Sequence, residues 1–376
     1  MPYKLLVSTI FGLCLSFTVQ AAAPKVAVDI APLHSLVSQV MEGVGTPTLI
    51  IPAEASPHQY TLRPSQARAL SNADVVFWMG ESYTPWLEKA MDNVATGAVK
   101  VEMLEVDGTT IYSFREGVTF EVHDHEEHAA HEGHEIEESQ AAHEGHEHND
   151  EHAAHENHED HEEHAAHEGH EGHEEHASHE GHEEHAAHEG HEDHEEHAAH
   201  EGHDHHGADP HAWLDPQNAK VWIVAIQETL SKQDPANKAV YQSNANKALA
   251  KLDTLIASTD KSIDALGKVN FVVFHDAYQY FEKRFDIIAS GSISLSDAQD
   301  PSPARIKEVK NTVEKLSVTC VFTEPQFNPG MVNSVFEGTQ VSAIAVMDPL
   351  GVDIPLGVGH YNALIENMVL SLQTCK

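Results

Sequence analysis

Five histidines stand apart from the rest of the sequence: His34, His58, His211, His275 and His360. Three of them sit where strand ends or turns would present them. His58 lies in Ser56-Pro57-His58-Gln59-Tyr60, after an apolar run that ends near Ile51. His211 lies in Asp209-Pro210-His211-Ala212-Trp213-Leu214-Asp215-Pro216. His275 closes the most apolar run of the second half, Phe271-Val272-Val273-Phe274-His275-Asp276. Asp348 closes another, in Val346-Met347-Asp348-Pro349-Leu350-Gly351. Three imidazoles and one carboxylate make a tetrahedral N3O shell that suits Zn2+. A manganese site would want more oxygen. Each histidine alone reads more readily as structural, so the set matters only if the fold gathers it. His34, on a first helix, and His360, before a last one, read as surface or capping residues.

The remaining 28 of the 33 histidines fall in one block, residues 121–206, with 31 of the 61 acidic residues and no Lys or Arg. Outside it 21 basic residues face 30 acidic ones, so most of the formal −40 belongs to the block. From His152 to His203 every third residue is His, beginning His152, His155, His158, His161, His164, His167, His170 and His173. Almost no large apolar residue is present, so the block cannot bury a core and disorder is expected. Its imidazoles and carboxylates offer many similar weak sites for transition metals. A solvated acidic tail is the plainer alternative. A zincin motif needs His at i and i+4, and the one such pair, His148 and His152, has Asn149 where the Glu belongs. No GxSxG and no P-loop occur, so catalysis has little support. Nothing is basic enough to hold a nucleic-acid backbone, and the negative charge disfavours anionic membranes.

The elements that would position these groups follow from the rest of the pattern. Lys4, the apolar run Leu5–Val19 and Val19-Gln20-Ala21 read as a secretory signal removed after Ala21. A lipid anchor at Cys14 is disfavoured by the bulky Leu13 before it. Export leaves Cys320 and Cys375, which favour a disulfide over free thiols; reduced thiols, one simply buried, are the alternative. Residues 25–30, 47–51, 74–79 and 99–106 read as strands, with helices over 33–41, 64–71 and 85–94. The pattern repeats with strands at 270–275, 287–290, 318–323 and 341–347, and helices at 277–285, 302–316, 331–337 and 361–372. This is βα alternation, which predicts parallel sheets covered by helices. Between the halves, Asp234-Pro235 starts and Gly267 stops a helix of about 48 Å, a rigid strut. The division is a signal at 1–21, an N-terminal α/β lobe at 22–234 holding the block, a linking helix at 235–266 and a C-terminal α/β lobe at 267–376. Ligands of open α/β sheets bind beyond the carboxyl ends of the strands. The four candidate groups, two from each half, therefore point to a site between lobes.

Taken together these stretches resemble the ZnuA type of the metal-binding solute-binding protein family, the periplasmic zinc-binding components of ABC importers. The residues that carry the resemblance are 56–65, 209–216, Phe271–Glu282, Thr323-Glu324-Pro325-Gln326-Phe327 and Asp348-Pro349-Leu350-Gly351. It covers the chain after the signal except the His block, which matches the family's variable charged loop in position and character. The resemblance implies two (β/α)4-like lobes joined by one long helix, small lobe movements, and zinc as transported ligand. It matches His58, His211 and His275 to the three metal-binding histidines. It matches Asp348 to an acidic position that is a ligand in some relatives and replaced by water in others. Pro57 stands where some zinc-binding relatives place a Glu, and His275 stands where manganese relatives usually carry Glu. It also matches Cys320 and Cys375 to a disulfide of the zinc subgroup. The implied partners are a membrane permease and, through it, an ATPase, for a monomeric periplasmic protein without enzymatic activity. A manganese or iron importer component, or a periplasmic zinc buffer or chaperone, are the rival readings.

Overall fold

Two four-stranded parallel sheets form the frame. The computed structural model describes residues 22–115, 120, 207–294, 302–326, 332 and 336–376; the signal and the His block lie outside the described residues. The first sheet holds β1 (Val26–Val28), β2 (Thr48–Leu49), β3 (Val75–Trp78) and β4 (Val99–Glu102), in the order β2-β1-β3-β4. Its connections carry α1 (Ala31–Val40), α2 (Pro64–Ser71) and α3 (Pro85–Val94). Pro32, Pro64 and Pro85 lie in first turns, where a missing N–H has no intrahelical partner to lose. The second sheet repeats the order as β6-β5-β7-β8, from β5 (Phe271–His275), β6 (Ser292–Ser294), β7 (Cys320–Thr323) and β8 (Ala343–Val346). Between the sheets in sequence come α4 (Pro216–Gln233) and α5 (Lys238–Leu266). With the second sheet come α6 (Gln279–Arg284), α7 (Pro303–Lys315) and α8 (His360–Gln373).

The expected α/β class with parallel sheets and one long helix is therefore observed. Side chains of β5 and β7 alternate between two cores. Phe271, Val273, Cys320 and Phe322 enter the large core, while Val272, Phe274 and Val321 meet Val309 and Val313 of α7 in a smaller one. That period of two is what a strand covered on both faces requires.

Three details differ from the sequence reading. The strand expected at 287–290 forms at Ser292–Ser294 instead. The sequence reading names no helix over 216–233, yet α4 forms there: Asp215-Pro216 repeats the Asp234-Pro235 signal, and Asp215 caps it, accepting from Gln217 N at 2.8 Å. Asp234 instead accepts from Asn237 Nδ2 and Tyr241 Oη, and a 3-10 turn at Pro235–Asn237 precedes α5. The expected helix at 331–337 lies mostly outside the described residues. The long helix expected between the halves is α5, and α1, α4 and α8 pack along it. Its buried Tyr241, Ala245, Ala248, Leu252, Leu255 and Ile263 recur at helical spacing and give it a face to bury.

Cys320 and Cys375 form a disulfide with Cα atoms 5.5 Å apart, fastening the end of α8 to β7. Among the described residues no helix is long and apolar enough to cross a membrane.

Candidate metal centre

In each sheet the order reverses between the strands β1 and β3, or β5 and β7. Chains leave to opposite faces at such a point and open a crevice beyond the strand ends. His275 is the last residue of β5, and Glu324 directly follows β7. The second reversal point therefore carries an imidazole beside a carboxylate. His275 Nδ1 lies 2.5 Å from Glu324 Oε1, and both residues are buried.

His211 is oriented in the same way by a different segment. It precedes a 3-10 turn at Ala212–Leu214. Asp209 Oδ1 accepts from the His211 backbone N–H at 3.0 Å and meets its Nδ1 at 2.8 Å. Burial pushes the Asp209 carboxyl up to about 7, against the His211 backbone hydrogen bond and the nearby Arg115, which lower it. His58 belongs to a 3-10 turn, Pro57–Gln59, after β2. Trp86 Nε1 donates to Pro57 O at 2.8 Å and pins that turn. Tyr83 packs edge-on to the His58 ring at 4.7 Å, and its own ring lies 5.1 Å from that of Trp213. These two aromatics wall the histidines on one side.

The three rings lie together. Ring centroids are 5.2 Å apart for His211 and His275, and 5.9 Å for His58 and His211. The decisive distance is between nitrogens: His211 Nε2 and His275 Nε2 face each other at 3.4 Å. With Nδ1–H of each ring donated to a carboxylate, each Nε2 presents a lone pair. Two lone pairs at that separation repel unless a proton or a metal ion lies between them. Zinc–nitrogen bonds of about 2.0–2.1 Å at a tetrahedral angle put two ligand nitrogens about 3.4 Å apart. The pair thus has the spacing of one edge of a zinc shell. Among the described residues no three His, Cys, Asp or Glu side chains already form a complete shell, so the ready part is this pair.

Asp348 is held in its own loop. Its carboxylate accepts from Leu350 N at 2.9 Å and from Val352 N at 2.5 Å. Gly351 in that turn has φ +74°, and a Cβ there would meet His360 Nε2 at 2.8 Å. No ring or hydrogen-bond contact with the three histidines is among its described contacts. His34 and His360, expected at the surface or as caps, are buried. The ring nitrogens of His360 approach Ile354 O at 3.2 Å and Leu350 O at 2.9 Å, and His34 Nε2 approaches Pro47 O at 3.1 Å. The reason is that α1 and the start of α8 pack on each other, with Tyr361 N donating to Ser35 Oγ at 3.0 Å.

Sequence reasoning gave no role to Asp209 or Glu324. A usable signal existed: both stand in the short motifs that hold or follow the histidines, and metal-binding imidazoles usually pass their second N–H to a carboxylate. Asp209→Asn and Glu324→Gln are each expected to weaken zinc binding by roughly 10- to 100-fold. Competition with a chelator of known affinity checks this. Unchanged affinity in both variants would remove the orienting role.

Comparison with known proteins gives the setting for this geometry. The family model for the periplasmic zinc-uptake complex component A, ZnuA, matches residues 26–375. The chain belongs to the ZnuA family. It is similar to the high-affinity zinc uptake system protein ZnuA of Brucella abortus (strain 2308), 41% identical over 350 residues, 93% of this chain and 91% of that one. It is similar to the protein of the same name from Paracoccus denitrificans (strain Pd 1222), 36% identical, covering 100% of this chain and 98% of that one. A crystal structure of a ZnuA deletion mutant with zinc bound shares the fold, with a TM-score of 0.62 and 18% identity, over 94% of this chain and 98% of that chain. ZnuA proteins are solute-binding components of zinc uptake systems, and zinc is their transported ligand.

Proposed function

We propose that the chain, exported after removal of residues 1–21, captures Zn2+ in the periplasm at His58, His211 and His275 and delivers it to a membrane permease driven by an ATPase. The observation that carries this reading is the facing pair of Nε2 atoms at 3.4 Å, each imidazole backed by a buried carboxylate. Nitrogen donors suit zinc better than manganese, which takes more oxygen. Asp348 or water completes the shell. Membership of a solute-binding family supports reading the chain as a binding protein that takes up and releases the ion. The His block collects zinc more weakly, because its sequence offers many similar ligand sets instead of one, while the nitrogens of the buried pair are already placed.

The block enters and leaves through a paired stem. Ser113 bridges Ala208 in antiparallel fashion, and Asp209 N donates to Tyr112 O at 2.8 Å. A chain lacking residues 121–206 but keeping this stem should retain one tight zinc per molecule and lose the weaker ones. Calorimetric titration of both chains checks this. Loss of the tight site on deletion would make the block the main zinc binder and favour the buffering reading.

A further inference from the structure

The stem that carries His211 is seated on α6, which follows His275 by only a few residues. Gln279 Nε2 donates to Ser113 O at 3.0 Å and to Asp209 Oδ2 at 3.2 Å. Tyr280 Oη donates to Asp209 O at 2.7 Å and accepts from Tyr112 N at 3.0 Å. At the outer end of the stem stands Arg115. Its Nε donates to Asp276 Oδ2 at 2.9 Å, its Nη1 to Glu282 Oε2 at 2.7 Å and its Nη2 to Glu282 Oε1 at 3.0 Å. Nη2 also pairs with Asp276 Oδ1. Asp276 is the residue after His275, and Glu282 is 2% exposed, with a second bond from Ala289 N at 3.1 Å. One planar cation thus spans two buried carboxylates, one of them joined by a peptide bond to His275.

We propose that Arg115 is a positioning residue of the zinc site, fixing the His211 stem and the His275 strand end in one register so that their Nε2 atoms face each other. This rests on the three-histidine reading. The two histidines come from segments 64 residues apart in sequence, and no hydrogen bond between their own backbones sets their spacing among those described. The spacing is set by what holds the stem to α6, and Arg115 supplies its ion pairs, beside the Lys283 ammonium over the Tyr112 ring at 3.7 Å. A guanidinium suits the task because its fork meets two carboxylates in fixed geometry, whereas an ammonium is a point charge. Removing it leaves Asp276 and Glu282 buried without their cation, and the strand end beside His275 then relaxes to separate or hydrate them.

The test uses the full-length exported chain and the variants Arg115→Ala and Arg115→Lys. Zinc affinity is read by chelator competition, and ligand geometry by the visible absorption of bound Co2+ at one equivalent. Loss of positioning should raise the zinc Kd of Arg115→Ala roughly 10- to 100-fold, as removal of outer partners of metal ligands does. Arg115→Lys, which keeps the buried charge, should also lose affinity and weaken the tetrahedral cobalt band. A purely structural ion pair predicts the opposite split: lower unfolding temperature with the zinc Kd and cobalt band of Arg115→Lys unchanged, and that result overturns the proposal. If the cobalt band of the unsubstituted chain survived replacement of His58, His211 and His275 by alanine, the three-histidine reading would fall, and this inference with it.

Discussion

Alanine at His58, His211 and His275 together should abolish the tight zinc site and leave only the weak sites of the His block. Structural zinc sites bind with about 10–16 kcal/mol shared over four ligands. One ligand is then worth about 2.5–4 kcal/mol, so each single alanine should raise Kd roughly 100- to 1000-fold. The single variants should not behave alike in stability. His275→Ala leaves Glu324, 4% exposed, without its imidazole partner, and His211→Ala does the same to Asp209, 0% exposed. Losing one hydrogen bond of a buried group costs about 0.5–1.5 kcal/mol, and about 1.5–3 kcal/mol where the group is charged. His58 is half-buried on a surface turn, so His58→Ala should change affinity with little loss of stability. Chelator competition and urea unfolding of the metal-free variants measure both quantities. Equal stability losses at all three positions would contradict the division into a braced pair and a third ligand.

Replacing Cys320 and Cys375 by serine should destabilise the metal-free chain by about 4 kcal/mol in the chain-entropy account, given a 55-residue separation between the bridged positions. The position of the bridge gives the loss a specific consequence. Cys320 is buried in β7, one strand from His275, and Cys375 lies two residues beyond α8, whose Leu364, Ile365, Met368 and Leu372 fill the large core. Helix α8 also packs on α1 and α5, so the bridge secures a helix that serves both sheets. Urea unfolding with and without reductant gives the value. A loss below about 1 kcal/mol would show that α8 packing alone holds the terminus.

The parts of the fold carried by local rules were legible in the sequence. Proline in first turns marked α1, α2 and α3, and alternation of apolar strands with helical spacing marked both parallel sheets. β6 was displaced because Ile287–Ser290 is as strand-like as Ser292–Ser294, and pairing with β5, a non-local contact, decides between them. His34 and His360 were misread because their burial comes from α8 lying across α1, and no local pattern announces a contact between helices over 300 residues apart. Successive rings of the set His58, His211 and His275 lie 5.9 and 5.2 Å apart. The bracing of His211 and His275 by Asp209, Glu324 and Arg115 is not legible in the sequence, because carboxylates and an arginine in loops look like ordinary surface charge until the fold buries them.

The most direct measurement is an anomalous difference map at the zinc edge from crystals of the zinc-loaded chain. The account predicts a single strong peak about 2.0–2.1 Å from His211 Nε2 and His275 Nε2 and from one ring nitrogen of His58. A strong peak elsewhere, with these three rings unliganded, would contradict it.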